Sequence, residues 1–351
     1  MRAVVWESYG ATPTVREVPE PECPEDAVVV EVAATGVCRS DWHAWQGHDP
    51  VPSLPWVPGH ELAGTVVAAG AGVRRWRGGE RVTTPFACGC GRCPVCAAGD
   101  AQVCAQQTQP GFTHWGSFAE RVVVRAADTN LVALPDDVSF VDAAPLGCRF
   151  ATAYRAVAHQ GRVADGEWLA VHGCGGVGLS AVMTGVARGA RVVAVDVSPA
   201  ALDAARSLGA EAVVQVDPSW TPQQVGDAVR DATHGGAHVS VDALGGTAAM
   251  SASVASLRRR GRHVQVGLML GADSVAPAPM GRVIAEELVL VGSHGMAARD
   301  YPAMLDLVAS GALDVHRLVG RVVALDDAPA ALVAMGGPPV GAGITVVDLS
   351  L

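Results

Sequence analysis

Four cysteines within fifteen residues carry the most specific chemical signal in the sequence. Cys90, Cys93, Cys96 and Cys104 follow the spacing C-x2-C-x2-C-x7-C in a segment rich in glycine. Four thiolates in a short irregular loop suit a tetrahedral structural zinc site that is closed to solvent. An iron–sulfur cluster is the alternative, but no second electron-transfer feature accompanies the loop. We expect structural zinc here, with the neighbouring Cys88 as a spare thiol.

A glycine-rich segment, H-G-C-G-G-V-G at residues 172–178, predicts a dinucleotide site. It contains G-x-G-x-x-G, follows a predicted strand and opens a predicted helix. Glycines let a pyrophosphate approach the backbone, where its charge meets the free N–H groups of the helix N-terminus. Asp196 ends the next strand and can accept hydrogen bonds from both ribose hydroxyls, whereas it would repel a 2′-phosphate. We therefore expect NAD rather than NADP, bound by Gly173, Gly175, Gly176, Val177, Gly178 and Asp196.

The composition excludes several classes of function. The chain has 351 residues, enough for about two domains, and half of them are hydrophobic, which excludes disorder as the main state. Its net charge is −10, so nucleic acids and anionic membranes are not expected partners. All 25 basic residues are arginine, which excludes Schiff-base, pyridoxal-phosphate and P-loop lysine chemistry. No targeting segment or membrane span is visible, and we expect a cytoplasmic protein.

The pattern of secondary structure changes near Cys148. Short β-branched runs between proline and glycine clusters precede it, and strands and helices alternate after it. Alternation with continuous apolar strands predicts a parallel sheet covered on both faces. The tail from Tyr301 is too short to form a domain and is assigned to the first one. We expect an α/β fold with a β-rich domain at 1–147 and 296–351 and a doubly wound parallel-sheet domain at 148–295.

Three further segments complete a set of motifs. They are G-V-C-R-S-D-W-H at residues 36–43, G-H-E at 59–61 and L-G-C-R at 146–149. With the four-cysteine loop and the glycine-rich segment, the sequence resembles the zinc-dependent medium-chain alcohol dehydrogenases, in particular their short bacterial and yeast-like members. The resemblance covers essentially the whole chain. It implies that the β-rich domain is GroES-like and catalytic and that the parallel-sheet domain is a Rossmann domain.

The resemblance assigns roles to individual side chains. Cys38, His60 and Cys148 correspond to the catalytic zinc ligands, which leave a fourth position open for water or the substrate oxygen. Two Zn²⁺ per subunit are therefore implied. Five further side chains match family positions: Glu61 as a carboxylate that can approach the metal, Asp41 as the partner of the ligand imidazole, Ser40 as the hydroxyl that takes the alcohol proton, His43 as the outer end of the proton relay, and Arg39 as a pyrophosphate contact.

The implied reaction is reversible hydride transfer between a primary or secondary alcohol and NAD, with zinc as Lewis acid. A polyol dehydrogenase is disfavoured, because such enzymes commonly use a carboxylate where this chain has Cys148. A biosynthetic ketone or imine reductase is equally compatible with these residues. A non-catalytic or redox-sensing zinc protein on the same scaffold is a third alternative, against which the complete ligand set and Ser40 argue.

Aromatic residues near these motifs suggest a preference among substrates. Phe86 stands where the family places an aromatic of the pocket wall, and Trp115 lies in a segment that resembles pocket-lining sequence. Trp42 lies within the first ligand motif. An aromatic-walled pocket would favour bulky or aryl alcohols over ethanol. Packing in the core is the alternative for each ring.

The sequence departs from the family pattern at three points. No lysine follows Asp196, and the C-terminal segment at 343–348 lacks the arginine that often contacts the pyrophosphate, so a weaker electrostatic hold on NAD is expected. Arg149, beside the predicted ligand Cys148, has no role that the resemblance assigns.

The chain length favours a homotetramer over a dimer by resemblance alone.

Overall fold

The computed structural model describes residues 1–337 and 342–351. None of the helices in these two ranges combines the length and the apolar character that a membrane crossing requires.

Two compact units make up the chain. Unit 1 comprises Met1–Ala151 and Gly295–Leu351, and unit 2 comprises Thr152–His294. Unit 2 is thus shorter than the predicted parallel-sheet domain at both ends. At its N-terminal side the difference has a local reason, since Arg149 is bonded to Glu61 of unit 1.

A sheet of seven strands organises the described part of unit 1, in the order β14-β15-β3-β4-β5-β7, with β6 also paired to β3. β14 and β15 are parallel, and all other neighbours are antiparallel. A separate hairpin joins β1 and β2. The strands are β1 (Arg2–Val5), β2 (Thr14–Glu17), β3 (Val28–Val37), β4 (Leu62–Ala69), β5 (Arg81–Thr83), β6 (Arg121–Val124), β7 (Val132–Ala133), β14 (Val319–Val323) and β15 (Ile344–Asp348).

The helices of unit 1 are short and connect these strands. They are α1 (Arg39–Trp45), α2 (Pro94–Ala98), α3 (Ala127–Asn130), α4 (Phe140–Ala143), α11 (Tyr301–Ala309) and α12 (Ala328–Ala334). Helix α5 (Arg149–Arg155) begins in unit 1 and ends in unit 2.

Tryptophan rings fill one hydrophobic core of unit 1. Trp6, Trp45 and Trp56 are buried there, and Trp42 and Trp115 pack against the same cluster while half-buried. Large rings bury more apolar area than any other side chain. The tryptophans of the N-terminal half therefore contribute to packing in this unit.

Unit 2 is a parallel sheet with helices between its strands. The order β10-β9-β8-β11-β12-β13 reverses direction at β8, as in doubly wound folds. The strands are apolar because the helices cover them; in β8 every residue is buried. The elements are β8 (Trp168–His172), α6 (Gly176–Ala187), β9 (Arg191–Asp196), α7 (Pro199–Ser207), β10 (Ala212–Gln215), α8 (Pro222–Ala232), β11 (Ala237–Asp242), α9 (Thr247–Ala255), β12 (Leu257–Gln265), α10 (Met280–Glu286) and β13 (Val289–Gly292).

A buried polar seam crosses the interior of unit 2. Ser240 Oγ lies 2.7 Å from Ser253 Oγ and 3.1 Å from Ser256 Oγ. His172 Nε2 lies 3.3 Å from Ser256 Oγ, and His263 Nδ1 lies 2.8 Å from Ser253 Oγ. All five side chains are buried. Serine hydroxyls both donate and accept, so they satisfy the two imidazoles without a charged partner.

Candidate functional site

Two groups of side chains in the described residues bring metal-ligating atoms within 4.8 Å of one another. The first group is the four-cysteine set predicted from its spacing: Cys90, Cys93, Cys96 and Cys104. The second group is Cys38, His60, Glu61 and Cys148. It unites the three predicted catalytic ligands with the carboxylate predicted to lie outside the ligand set.

The four-cysteine loop is built to hold thiolates. Backbone N–H groups point at its sulfurs; the amides of Cys90 and Gln106 lie 3.5 and 3.3 Å from Cys104 Sγ. The backbone N–H of Arg92 lowers the pKa of Cys90 to about 6, whereas burial raises the pKa of Cys96 to about 12. Hydrogen bonds to a thiolate favour its charged form. The donor set and its amides fit a structural metal such as zinc.

Chain topology assembles the second group. Cys38 follows β3 and precedes α1, and His60 with Glu61 precedes β4. Antiparallel pairing of β3 with β4 sets Thr35 opposite Leu62, so the two ligand segments meet at one end of the strand pair. Cys148 precedes α5 and approaches the same place.

Asp41 fixes both ligand segments. Its Oδ1 accepts hydrogen bonds from His60 Nδ1 at 2.9 Å and from the amide of Gly59 at 3.0 Å, and its Oδ2 accepts one from the amide of Cys38 at 3.1 Å. The imidazole is thereby held with Nε2 free; this atom is buried and has no hydrogen-bond partner. An unpaired buried nitrogen beside two thiols is unfavourable unless a metal satisfies it. The residues present fit a zinc ion.

Asp41→Ala is expected to weaken zinc binding at this group by about 10- to 100-fold, because it frees the imidazole and leaves two backbone amides unpaired. A competition titration against a chromophoric chelator measures the affinity. Asp41→Asn is the matched control, because its amide keeps one of the two accepting oxygens. Its zinc affinity should lie between that of Asp41→Ala and that of the unmodified protein. Equal zinc affinity in all three would exclude a positioning role for Asp41.

The two thiols of the group share a hydrogen bond. It lowers the pKa of Cys38 well below its usual value and, with burial, raises the pKa of Cys148. Burial alone would lower the pKa of His60, but the charge and hydrogen bond of Asp41 raise it well above the usual value. Of the two thiols in this group, Cys38 is therefore the one that loses its proton more easily.

Glu61 is paired with Arg149, a residue to which the family resemblance assigns no role. The Glu61 carboxylate is fully buried, and Arg149, 6% exposed, binds both of its oxygens. Burial raises the pKa of Glu61, and the charge of Arg149 opposes this rise. The pairing joins residues 88 positions apart. The position of Arg149 beside Cys148 was the only sequence signal for it.

The remaining predicted side chains lie on α1 or at its start. Ser40 Oγ is 3.8 Å from Cys38 Sγ, which places the hydroxyl next to the second group. His43 Nδ1 lies 3.0 Å from Nδ1 of His48. Arg39 donates to the carbonyl of Met335 at 3.1 Å and lies 5.2 Å from the ring centre of Trp42. The relay role of His43 and the pyrophosphate contact of Arg39 stay predictions.

Two phenylalanine rings flank the ligand imidazole. The ring centres of Phe86 and Phe112 lie 6.1 and 5.2 Å from that of His60, both edge-on. Phe112 was missed, although it lies in the same segment as Trp115. Trp115 packs against the tryptophan cluster, as does Trp42. The contribution of these two tryptophans to a substrate pocket stays a prediction.

The glycine-rich turn of unit 2 leaves room for a ligand. Gly173 has φ of +91°, and a side chain on Gly178 would lie 1.7 Å from the Gly173 carbonyl oxygen. A Cβ on Gly175 would meet nothing within 4 Å. Helix α6 begins at Gly176 without a side-chain cap, so its first amides can receive an anion. Val177 is the second residue of this helix.

Asp196 stands beside the turn. Its carboxylate accepts hydrogen bonds from the amides of Cys174 at 2.7 Å and Ser198 at 2.8 Å. The side chain is half-buried, so lone pairs remain for a ligand. Turn, helix start and carboxylate together fit a dinucleotide.

Family models match both units. The model described as "Alcohol dehydrogenase GroES-like domain" matches residues 24–136, and that described as "Zinc-binding dehydrogenase" matches residues 176–310.

Relatives match nearly the whole chain. An alcohol dehydrogenase from Geobacillus stearothermophilus is 35% identical over 313 residues, which are 89% of this chain and 90% of that protein. The solved structure of alcohol dehydrogenase TADH from Thermus sp. ATN1 superposes with a TM-score of 0.88 at 31% identity, covering 99% of both chains. A structure described as an NAD-dependent alcohol dehydrogenase gives a TM-score of 0.86 at 28% identity and covers 99% of this chain and 100% of its own.

Proposed function

Because the chain belongs to the zinc-dependent medium-chain alcohol dehydrogenase family, with a GroES-like unit and a Rossmann unit, we propose that it oxidises a primary or secondary alcohol reversibly with NAD. The relatives are named alcohol dehydrogenases, so polyol dehydrogenase, biosynthetic reductase and zinc-sensor functions are not favoured.

The observation that carries the proposal is the second ligand group. His60 Nε2 is buried and unpaired between two thiols, and Asp41 fixes its ring. Zinc held by Cys38, His60 and Cys148 would supply Lewis-acid activation of the alcohol. Ser40, whose Oγ lies 3.8 Å from Cys38 Sγ, would take the hydroxyl proton. His43 would pass that proton outward, and in this fold burial, then the charge of His48, lowers its pKa.

Unit 2 holds the nicotinamide cofactor in this proposal. The first amides of α6 bind the pyrophosphate, and Asp196 binds the adenosine ribose. Arg39 would add a bidentate phosphate contact. No lysine supplements these groups.

Asp196→Ser is expected to narrow the preference for NAD over NADP, measured as the ratio of the two kcat/KM values, by at least about 10-fold. Hydrogen bonds to a charged group contribute roughly 1.5–3 kcal/mol, and removal of the carboxylate also removes its repulsion of a 2′-phosphate. Asp203→Ser, which removes an exposed carboxylate from α7, is the matched control. An unchanged ratio in Asp196→Ser would refute the ribose assignment.

The rings around His60 suggest the substrate class. The rings of Phe86 and Phe112 lie beside the ligand imidazole, and an aromatic wall favours aryl or bulky alcohols. A larger kcat/KM for ethanol than for benzyl or cinnamyl alcohol would contradict this preference.

The decisive experiment is NADH consumption with a panel of aliphatic and aromatic aldehydes and ketones, on protein of known zinc content. Turnover of any panel member supports the proposal, and the ranking reports on the aromatic walls. Silence with both zinc sites filled would refute alcohol dehydrogenase activity on these classes and favour a narrow biosynthetic substrate.

The finer points rest on the family resemblance. We propose two Zn²⁺ per subunit, one in each ligand group, and a cytoplasmic homotetramer. Metal analysis tests the first, and light scattering during size-exclusion chromatography tests the assembly.

A further inference from the structure

Glu61 poses a chemical problem for the proposed zinc site. One of its carboxylate oxygens lies within 4.8 Å of the ligand atoms of Cys38, His60 and Cys148. A carboxylate is itself a good zinc ligand, and four protein ligands make a closed site. A catalytic site must keep one position open. Some feature of this chain must therefore hold Glu61 off the metal.

Arg149 engages both oxygens of that carboxylate. Oε1 accepts hydrogen bonds from the backbone N–H and from Nε of Arg149, each at 2.9 Å. Oε2 accepts from Nε at 3.0 Å and from a terminal guanidinium nitrogen. The fixed fork of arginine matches a carboxylate in two places at once. A shift of Glu61 onto a metal would break these bonds and leave a buried guanidinium unpaired.

Gly36 leaves space for the Glu61–Arg149 pair. A Cβ on Gly36 would lie 2.1 Å from Glu61 Oε2 and 2.8 Å from a terminal nitrogen of Arg149, so a larger residue there would have to displace the pair. Glu61 follows the ligand His60 in sequence, and Arg149 follows the ligand Cys148. The ion pair thus links two ligand segments of the same group.

Charge favours the same arrangement. Two thiolates neutralise a divalent ion, and Arg149 neutralises Glu61, so the metal with its thiolates and the Glu61–Arg149 pair are each without net charge. If Glu61 bound the metal instead, the metal group would be anionic and Arg149 a separate buried cation. Separated buried charges are strongly disfavoured relative to a hydrogen-bonded pair.

We propose that Arg149 is a positioning residue that holds the Glu61 carboxylate in a two-oxygen clamp and thereby keeps the fourth coordination position of the catalytic metal open. The inference deepens the proposed function and rests on its assignment of the catalytic metal ligands. Arg149 itself touches neither substrate nor cofactor in this scheme.

The test uses cobalt-substituted protein, whose visible spectrum reports the coordination of the metal. Imidazole is added as a probe ligand for the open position, and the four-cysteine site, which is closed, serves as an internal reference that should not respond. In the unmodified protein imidazole should shift the bands of the catalytic site. In Arg149→Met the released carboxylate should occupy the position and raise the half-saturating imidazole concentration by about 10-fold or more. The double variant Arg149→Met with Glu61→Gln should regain the response.

Two further variants keep the test decisive if Arg149→Met does not fold. Arg149→Lys retains the charge but loses the fork, and it should respond between Arg149→Met and the unmodified protein. Gly36→Ala pushes the pair apart by a different route and should weaken imidazole binding as Arg149→Met does. An imidazole response equal to that of the unmodified protein in all folded single variants would overturn the clamp.

The spectrum is independent of turnover. If Arg149→Met binds imidazole as the unmodified protein does and the unmodified protein turns over alcohol, only this inference is overturned. If Arg149→Met weakens imidazole binding but the unmodified protein turns over no alcohol, the inference stands and the proposed function is overturned.

Discussion

Cys148→Ser is expected to remove the catalytic zinc and to lower alcohol oxidation by more than about 100-fold, the upper end of the loss caused by removing an outer-shell partner of a ligand. A serine hydroxyl stays protonated and binds zinc poorly, while Cys38 and His60 alone cannot hold the ion. Zinc content should fall from two to one per subunit. The circular dichroism spectrum should be unchanged, because the substitution touches neither the four-cysteine loop nor the tryptophan-rich core of unit 1.

Cys23→Ser is the matched control for this prediction. Cys23 is a half-buried free cysteine of unit 1 that lies in neither ligand group. It should keep both zinc ions and full activity. Two zinc ions and normal activity in Cys148→Ser would show that Cys148 is not a ligand.

Ser40→Ala is expected to lower kcat by about 10²–10⁴-fold with unchanged zinc content, since a positioned proton acceptor contributes that much to a transfer step. Ser40 lies on the first turn of α1 with its Oγ 3.8 Å from Cys38 Sγ. The variant therefore removes one hydroxyl and the hydrogen bond that Cys38 Sγ donates to it, while all three ligand side chains stay in place. Stopped-flow measurement of hydride transfer isolates the affected step.

Ser40→Thr separates the hydroxyl from the shape of the side chain. It keeps the hydroxyl and should retain most of the rate. Equal loss in the alanine and threonine variants would point to packing, and no loss in either would remove Ser40 from the proton path.

The local motifs were predictable because residue types and their spacing within a short segment indicate the chemistry. The cysteines at 90–104 and the glycines at 173–178 each lie within one short segment of the chain, so residue type and spacing alone predicted a metal-binding segment and a dinucleotide-binding segment. The α/β fold class was confirmed, since strand periodicity and the alternation with helices are also local signals.

Long-range pairings could not be predicted in this way. Glu61 and Arg149 are 88 residues apart, and no periodicity links them. Phe112 lies 52 positions after His60 in the chain, yet the centres of the two rings are 5.2 Å apart. Trp45 and Trp56 lie in the core, while Trp42 and Trp115 only pack against it, a distinction that depends on burial in three dimensions.

The buried polar seam of unit 2 makes the stability of this unit depend on pH in the acidic range. Burial, together with the charge of His263, lowers the pKa of His172 from 6.5 to about 3. Between these two pH values His172 is protonated in the unfolded chain but stays neutral in the folded unit. The free energy of unfolding therefore falls as the pH drops below about 6.5, and it continues to fall until about 3. A hydroxyl can satisfy a neutral imidazole but cannot compensate an imidazolium. Unit 2 therefore has its own acid limit of stability, whatever metal unit 1 holds.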